Sequence, residues 1–160
     1  MGVDILLVLI NFYDKMIKIA HKGNIEGKSK FENCPEYIDK SLEKGFDIEL
    51  DVGVYGNQLY LGHDTKEYLI DINWLLERSK NLWCHAKNFK ALDLMLNYKE
   101  LNCFWHQEDN YTITSKGFVW AYPGFPGSKS RTIAVKPDIN WLEINEFYGV
   151  CLDDFSRLKL

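Results

Sequence analysis

The sequence predicts a compact, trimmed, TIM-like (β/α) barrel: one domain over residues 1–160, with about seven to eight parallel strands and several outer helices shortened. Three observations carry that expectation. Short apolar runs alternate with amphipathic stretches along the chain. The chain has 160 residues, whereas a full barrel of this kind takes roughly 200–250. The histidines and a pair of acids fall at the ends of expected strands, where such a barrel keeps its chemistry. A composition that is 46% hydrophobic and 14% aromatic supports a real core, and no linker, repeat or low-complexity run interrupts it.

Taken in order, "MIKIAH" (16–21) reads as the first strand. "NCPEYIDKSLEKG" (33–45) reads as a helix: Pro35 suits its first turn, Tyr37, Ile38 and Leu42 form an apolar stripe, and Gly45 suits the position past its end. "FDIELDV" (46–52) is the next strand. "QLYLGH" (58–63) follows it or pairs with it across a turn at Gly56-Asn57. "DINWLLERSK" (71–80) is helical, "LWCHAK" (82–87) is a strand, and "NFKALDLMLNYKE" (88–100) is a helix with a stripe of Phe89, Leu92 and Leu96 flanked by Leu94 and Met95. "NCFWHQ" (102–107), "GFVWAYPG" (117–124), "RTIAVKP" (131–137) and "YGVCLDD" (148–154) complete the strands, joined by connections too short for full helices.

The apolar start, "MGVDILLVLINF", is shorter than the roughly 20 residues of a membrane span. It lacks the basic start and cleavage site of a secretory signal, so it is expected to be a short helix or strand covering the bottom of the fold, or a start site placed slightly early, with a weak membrane-surface anchor as the alternative and no stable membrane insertion. Cys34, Cys84, Cys103 and Cys151 show no zinc-ligand spacing and read as free, mostly buried thiols of a reducing, cytoplasmic compartment. A net charge of −4 gives no footprint for nucleic acid. Local lysines still allow a small anionic substrate. Nothing bears on oligomeric state.

The chemistry begins at "IELDV" (48–52). Side chains alternate across a strand, so Glu49 and Asp51 share one face and Ile48, Leu50 and Val52 the other. His21, His63, His85 and His106, the only histidines, each lie at or near the end of an expected strand. Burying so many polar groups costs free energy unless they meet partners, a metal or a ligand. Two imidazoles titrating near neutrality can deprotonate an attacking oxygen and protonate a leaving one. A hard cation on Glu49 and Asp51 would offset phosphate charge. Lys87, pointing inward beside His85, calls for an anionic partner. His106, Gln107, Glu108 and Asp109 could line the mouth. Trp105, Tyr111, Trp120 and Tyr122 could stack on a sugar or glycerol-like group, although core packing is the stronger reading for most of them. Trp74 and Trp83 are assigned to packing.

"IAHKG", "FENC" and "GFDIELDVGVYGNQLYLGHD" resemble the glycerophosphodiester phosphodiesterase family over residues 17–64, and "GVCLDD" (149–154) looks like that family's last strand. The resemblance implies a metal-dependent phosphodiesterase acting on a glycerophosphodiester-like or sugar/polyol phosphodiester. It implies His21 and His63 as the acid/base pair and Glu49, Asp51 and the position of His85 as metal ligands. Lys22, Lys87, His106 and Glu108 are the expected substrate- and phosphate-binding residues. The implied cofactor is a divalent cation, Mg²⁺ or Ca²⁺ by the family pattern. Lys22 stands where the family has arginine, so the bidentate fork is lost. His85 stands where the family has the third carboxylate, and imidazole favours transition metals. Either the metal differs, or an acid such as Glu108 or Asp153 completes the site, or metal binding is lost. The family's insertion is absent, since a helix is expected directly after His63. A non-catalytic phosphoryl-binding relative is the alternative from a different class.

Overall fold

A computed structural model describes residues 16–64, 66–138, 140, 146–156 and 158; the apolar start lies outside the described residues. The chain runs through β1 (Ile17–His21), α1 (Pro35–Glu43), β2 (Asp47–Tyr55), β3 (Gln58–Leu61), β4 (Tyr68–Ile70) and α2 (Ile72–Arg78). It continues through β5 (Leu82–Ala86), α3 (Phe89–Leu96), β6 (Asn102–Phe104), β7 (Tyr111–Ile113), β8 (Val119–Ala121), β9 (Thr132–Val135) and β10 (Gly149–Leu152).

These strands form one ten-stranded mixed sheet. A parallel run β6-β5-β2-β1-β10-β9-β8 makes its centre. β3 folds back antiparallel on the far half of β2, β4 pairs antiparallel with β3, and β7 lies antiparallel on β8. The expected parallel barrel of alternating strands and helices is therefore overturned. A parallel neighbour needs a long crossover, and the turns joining β2 to β3 and β7 to β8 are too short for one, so they make hairpins instead. The described residues hold three α-helices rather than one between each strand pair. No ladder joins β6 to β8 among them. The free edge of β6 is met instead by Ser115, whose N–H donates to the Cys103 carbonyl and whose Oγ accepts from the Cys103 N–H.

The helices follow from local chemistry. Asp71 caps α2 by accepting from the Trp74 N–H, and Asn88 caps α3 by accepting from Ala91. Asn88 also bonds both the N–H and the carbonyl of Val54, tying α3 to β2. The stripe expected on α3 is rotated: Ala91 and Met95 are buried, while Phe89 and Leu96 are exposed. The helix stops at Leu96, and β4 rather than a helix follows the His63 turn.

Alternation along the strands splits the core in two. One face sends Ala20, Ile48, Leu50, Val52 and Cys84 against Ile38 of α1, Leu75 of α2 and Met95 of α3. Truncating a fully buried Leu50 there would cost about 2–5 kcal/mol. The opposite face carries a smaller, aromatic core of Ile19, Trp83, Phe104, Trp120, Ile133, Val135 and Cys151. Phe104 of β6 and Trp120 of β8 meet at 4.9 Å between ring centroids, which requires the sheet to curl around this face. Polar side chains of the same face stand beyond that aromatic floor, at the carboxyl ends of the parallel strands.

Candidate functional site

Above the floor opens a cavity of about 560 Å³ lined by all four histidines, Lys22, Glu49, Asp51, Lys87, Tyr122 and Lys136, among others. A larger cleft of about 860 Å³ lies between α1, β3–β4 and α2. That cleft is lined by apolar, amide and acidic groups, with no histidine, lysine or arginine to meet an anion.

Glu49 and Asp51 project inward from β2 and are 3% and 1% exposed. Carboxylates this deep need compensation. The Asn33 side chain donates to Asp51 Oδ2 at 3.2 Å and accepts from the Asp51 N–H at 2.9 Å. Lys22 Nζ stands 3.5 Å from Asp51 Oδ2 and Lys87 Nζ 3.7 Å from Oδ1. Burial pushes the Asp51 carboxyl up, but His85, Lys22 and Lys87 outweigh it and hold it well below the usual carboxylate range. Burial likewise pulls Lys22 down, and the charges of Asp51, Glu49 and Glu32 carry it above its ordinary value. Even so, Asp51 Oδ1 and Glu49 Oε2 lack a well-aligned hydrogen bond.

His85 faces both acids, with Nδ1 3.2 Å from Asp51 Oδ1 and 3.6 Å from Glu49 Oε1. Its Nε2–H donates to the His106 carbonyl at 3.3 Å, and the ring stacks on Phe104 at 5.1 Å and 5°. A backbone carbonyl can only accept, so the proton of a neutral ring sits on Nε2 and the Nδ1 lone pair faces two carboxylates. Such a pocket wants a positive centre. Burial lowers the His85 pKa, but the contacts to Asp51 and Glu49 raise it to about 9, so without a cation the ring holds a second proton. A metal ion would displace that proton. Glu49, Asp51 and His85 offer ligand atoms within 4.8 Å of one another, and the two unsatisfied buried oxygens fit a cation.

Two histidine–aspartate pairs border this centre. His21 ends β1; its Nδ1–H donates to Asp153 Oδ1 at 2.7 Å, and Nε2 stands 3.7 Å from Glu49 Oε2. Asp153 also accepts from buried Asn24 at 2.9 Å and meets Lys136 Nζ at 3.1 Å. Burial raises the Asp153 carboxyl, and the bonds from His21 and Asn24 more than reverse this, leaving it well below its usual range. His63 arrives differently, at the end of the β2–β3 hairpin, with Nδ1 2.8 Å from Asp64 Oδ2. Both rings thus spend Nδ1 on an aspartate, and His21 turns Nε2 toward Glu49.

Of the residues expected at the site, His21, Lys22, Glu49, Asp51, His63, His85, Lys87 and His106 come together on the cavity. Glu108 does not: it is exposed on the loop after β6 and is not among the cavity-lining residues. Of the aromatics, Tyr122 lines the cavity with His106 stacked on it at 3.7 Å. Trp120 also lines the cavity, from its buried floor, whereas Trp105 packs on the helix side and Tyr111 bonds the Pro126 carbonyl. Trp83 is buried in the floor and Trp74 packs on the helix-covered core, both as expected. Cys84, Cys103 and Cys151 are buried free thiols, while Cys34 is partly exposed. Lys136 escaped the sequence reading, although it follows β9 as directly as Lys22 follows β1. Lys22, Asn33 and Lys136 all adopt positive φ, of 55°, 61° and 43°, a strained conformation for side chains other than glycine that clusters at functional sites.

No family model, no curated protein and no solved structure matches this chain. No helix among the described residues is long and apolar enough to cross a membrane.

Proposed function

We propose that this chain is a phosphoric diester hydrolase acting through two histidines, with a divalent cation held by Glu49, Asp51 and His85. The observation that carries the proposal is the pair of aspartate-bound imidazoles, His21–Asp153 and His63–Asp64, bordering one cavity that also contains a buried, incompletely satisfied acid pair. The motif resemblance to glycerophosphodiester phosphodiesterases agrees with it. The reading rests on these side chains and not on a barrel.

When bound, the cation supplies charge neutralisation for a phosphoryl oxygen. The chain's own residues do the rest. Lys22 and Lys87 attract the phosphate anion from beside Asp51. His21 Nε2 takes the proton of the attacking oxygen, and Asp153 steadies the imidazolium that forms. His63, at the exposed lip, gives its proton to the departing alcohol. Products are a phosphomonoester and an alcohol. Tyr122, with His106 stacked on it, offers a flat wall for a polyol or sugar.

A second reading, a phosphoryl-binding protein without catalysis, is favoured by one observation. Lys22, Lys87 and a protonated His85 already neutralise the acids without a metal. Hydrolysis of bis(p-nitrophenyl) phosphate, with and without chelator, separates the two. The hydrolase should lose turnover on chelation, regain it with added cation, and lose both turnover and cation binding in Asp51→Asn. Turnover that survives strong chelation removes the metal. Phosphate binding with no turnover of any diester leaves the binding protein.

A further inference from the structure

We infer that His85 selects a borderline first-row transition cation such as Zn²⁺ over Mg²⁺ and Ca²⁺; this rests on the cation site of the proposed function, not on its catalysis. The donor set is two carboxylates and one imidazole nitrogen. Mg²⁺ and Ca²⁺ favour oxygen ligands throughout, whereas imidazole nitrogen suits borderline transition ions.

Three features make the nitrogen unavoidable. The His85 ring is clamped by its stack on Phe104 and by the Nε2–H bond to the His106 carbonyl. A ligating histidine is oriented by such a bond from its other nitrogen, and here the bond leaves Nδ1 turned to Glu49 and Asp51. Second, no third acid is free to replace it among the described residues. Asp153 is committed to His21, Asn24 and Lys136, and Glu108 is exposed on its loop. Third, Lys22 and Lys87 stand within 3.7 Å of Asp51 and oppose any cation held by charge alone. A hard ion would meet two acids, two repelling ammonium groups and a nitrogen it binds poorly. A transition ion gains a bond at that nitrogen.

The experiment is calorimetric titration of the chelator-treated full chain with Mn²⁺, Zn²⁺, Mg²⁺ and Ca²⁺, each alone, in the wild type and in His85→Glu. Outer-shell partners alone change metal affinity by about 10–100-fold, so exchanging the ligand itself should cut the preference for Zn²⁺ over Mg²⁺ by at least about 100-fold. An unchanged preference overturns the inference, as does failure of the wild type to bind any of the four ions. Because His85→Glu can fail to fold, the wild type labelled with ¹⁵N-histidine supplies a second readout. Zn²⁺ should shift the His85 Nδ1 resonance, and an unshifted Nδ1 in a Zn²⁺-bound protein overturns the assignment. Neither readout depends on turnover. A Zn²⁺-binding chain that cleaves no diester keeps the inference and loses the hydrolase.

Discussion

His21 and His63 carry the same local arrangement in opposite surroundings. The His21 side chain is 16% exposed and so is its partner Asp153, which is braced by Asn24 and Lys136. The His63 side chain is 50% exposed and Asp64 81% exposed, with the pair carried on the connection from β3 to β4. Water screens the second pair and not the first. The first imidazole is therefore held by its partners, whereas under the proposed hydrolysis the second would gain full strength only when a bound diester excluded water. If the proposed roles hold, a fixed base over the acids and an adjustable acid at the lip would suit a site that accepts varied alcohols.

The largest test of this contrast is removal of each ring. His21→Ala should lower turnover on the order of 10²–10⁴-fold on alkyl and p-nitrophenyl diesters alike. His63→Ala should lose as much on alkyl diesters but little on bis(p-nitrophenyl) phosphate, whose leaving group barely needs a proton. Equal losses on both substrates for both variants would end the acid/base assignment.

The next test moves to the aspartates. Asp153→Asn should cost between about 10²- and 10⁴-fold in turnover, because an amide favours the wrong His21 tautomer. Asp64→Asn should cost about fivefold or less, as exposed pairs contribute little. Steady-state rates at one pH decide it, and similar losses would erase the distinction between the pairs.

Stability against pH gives a smaller, signed effect. Asp153 is held below its ordinary value, so its contribution is present above about pH 3.9 and is lost as pH falls toward its lowered folded value. His85 in the chelated protein works the other way. Its pKa is raised to about 9, so its contribution is full below about 6.5 and fades as pH rises through 9. Thermal melts should show a weaker acid limb in Asp153→Asn than in Asp64→Asn, and His85→Gln should flatten the alkaline limb. The smallest effect belongs to Lys136→Met, which removes one partner of Asp153 and should cost roughly threefold in turnover.

Most strands and the three helices were legible because each rests on local chemistry: period-two runs, Pro35, Asp71 and Asn88. The antiparallel strands added at the margins were not legible, and the expected closure is not formed by a ladder among the described residues. β4 and β7 are three-residue strands that exist through their partners β3 and β8, and no local pattern announces them. The site was clearer than the fold because strand alternation commits Glu49 and Asp51 to one face, and the β2–β5 register opposite Asp51 adds His85. Glu108 was misassigned because a loop after a strand end need not keep the strand's direction. Lys136 was within reach, since the strand-end rule that singled out the histidines applies equally to "VKP".

The left-handed backbone at Lys22 and Lys136 sets folding against binding at two positions. For a residue with a Cβ that conformation costs roughly 1–2 kcal/mol, while glycine enters it freely. A library of this chain screened for foldedness alone should drift toward glycine at both places, and one screened for anion capture should hold on to lysine. Sequencing the survivors of the two screens would read out, residue by residue, which parts of the cavity mouth are kept by the fold and which only by what it binds.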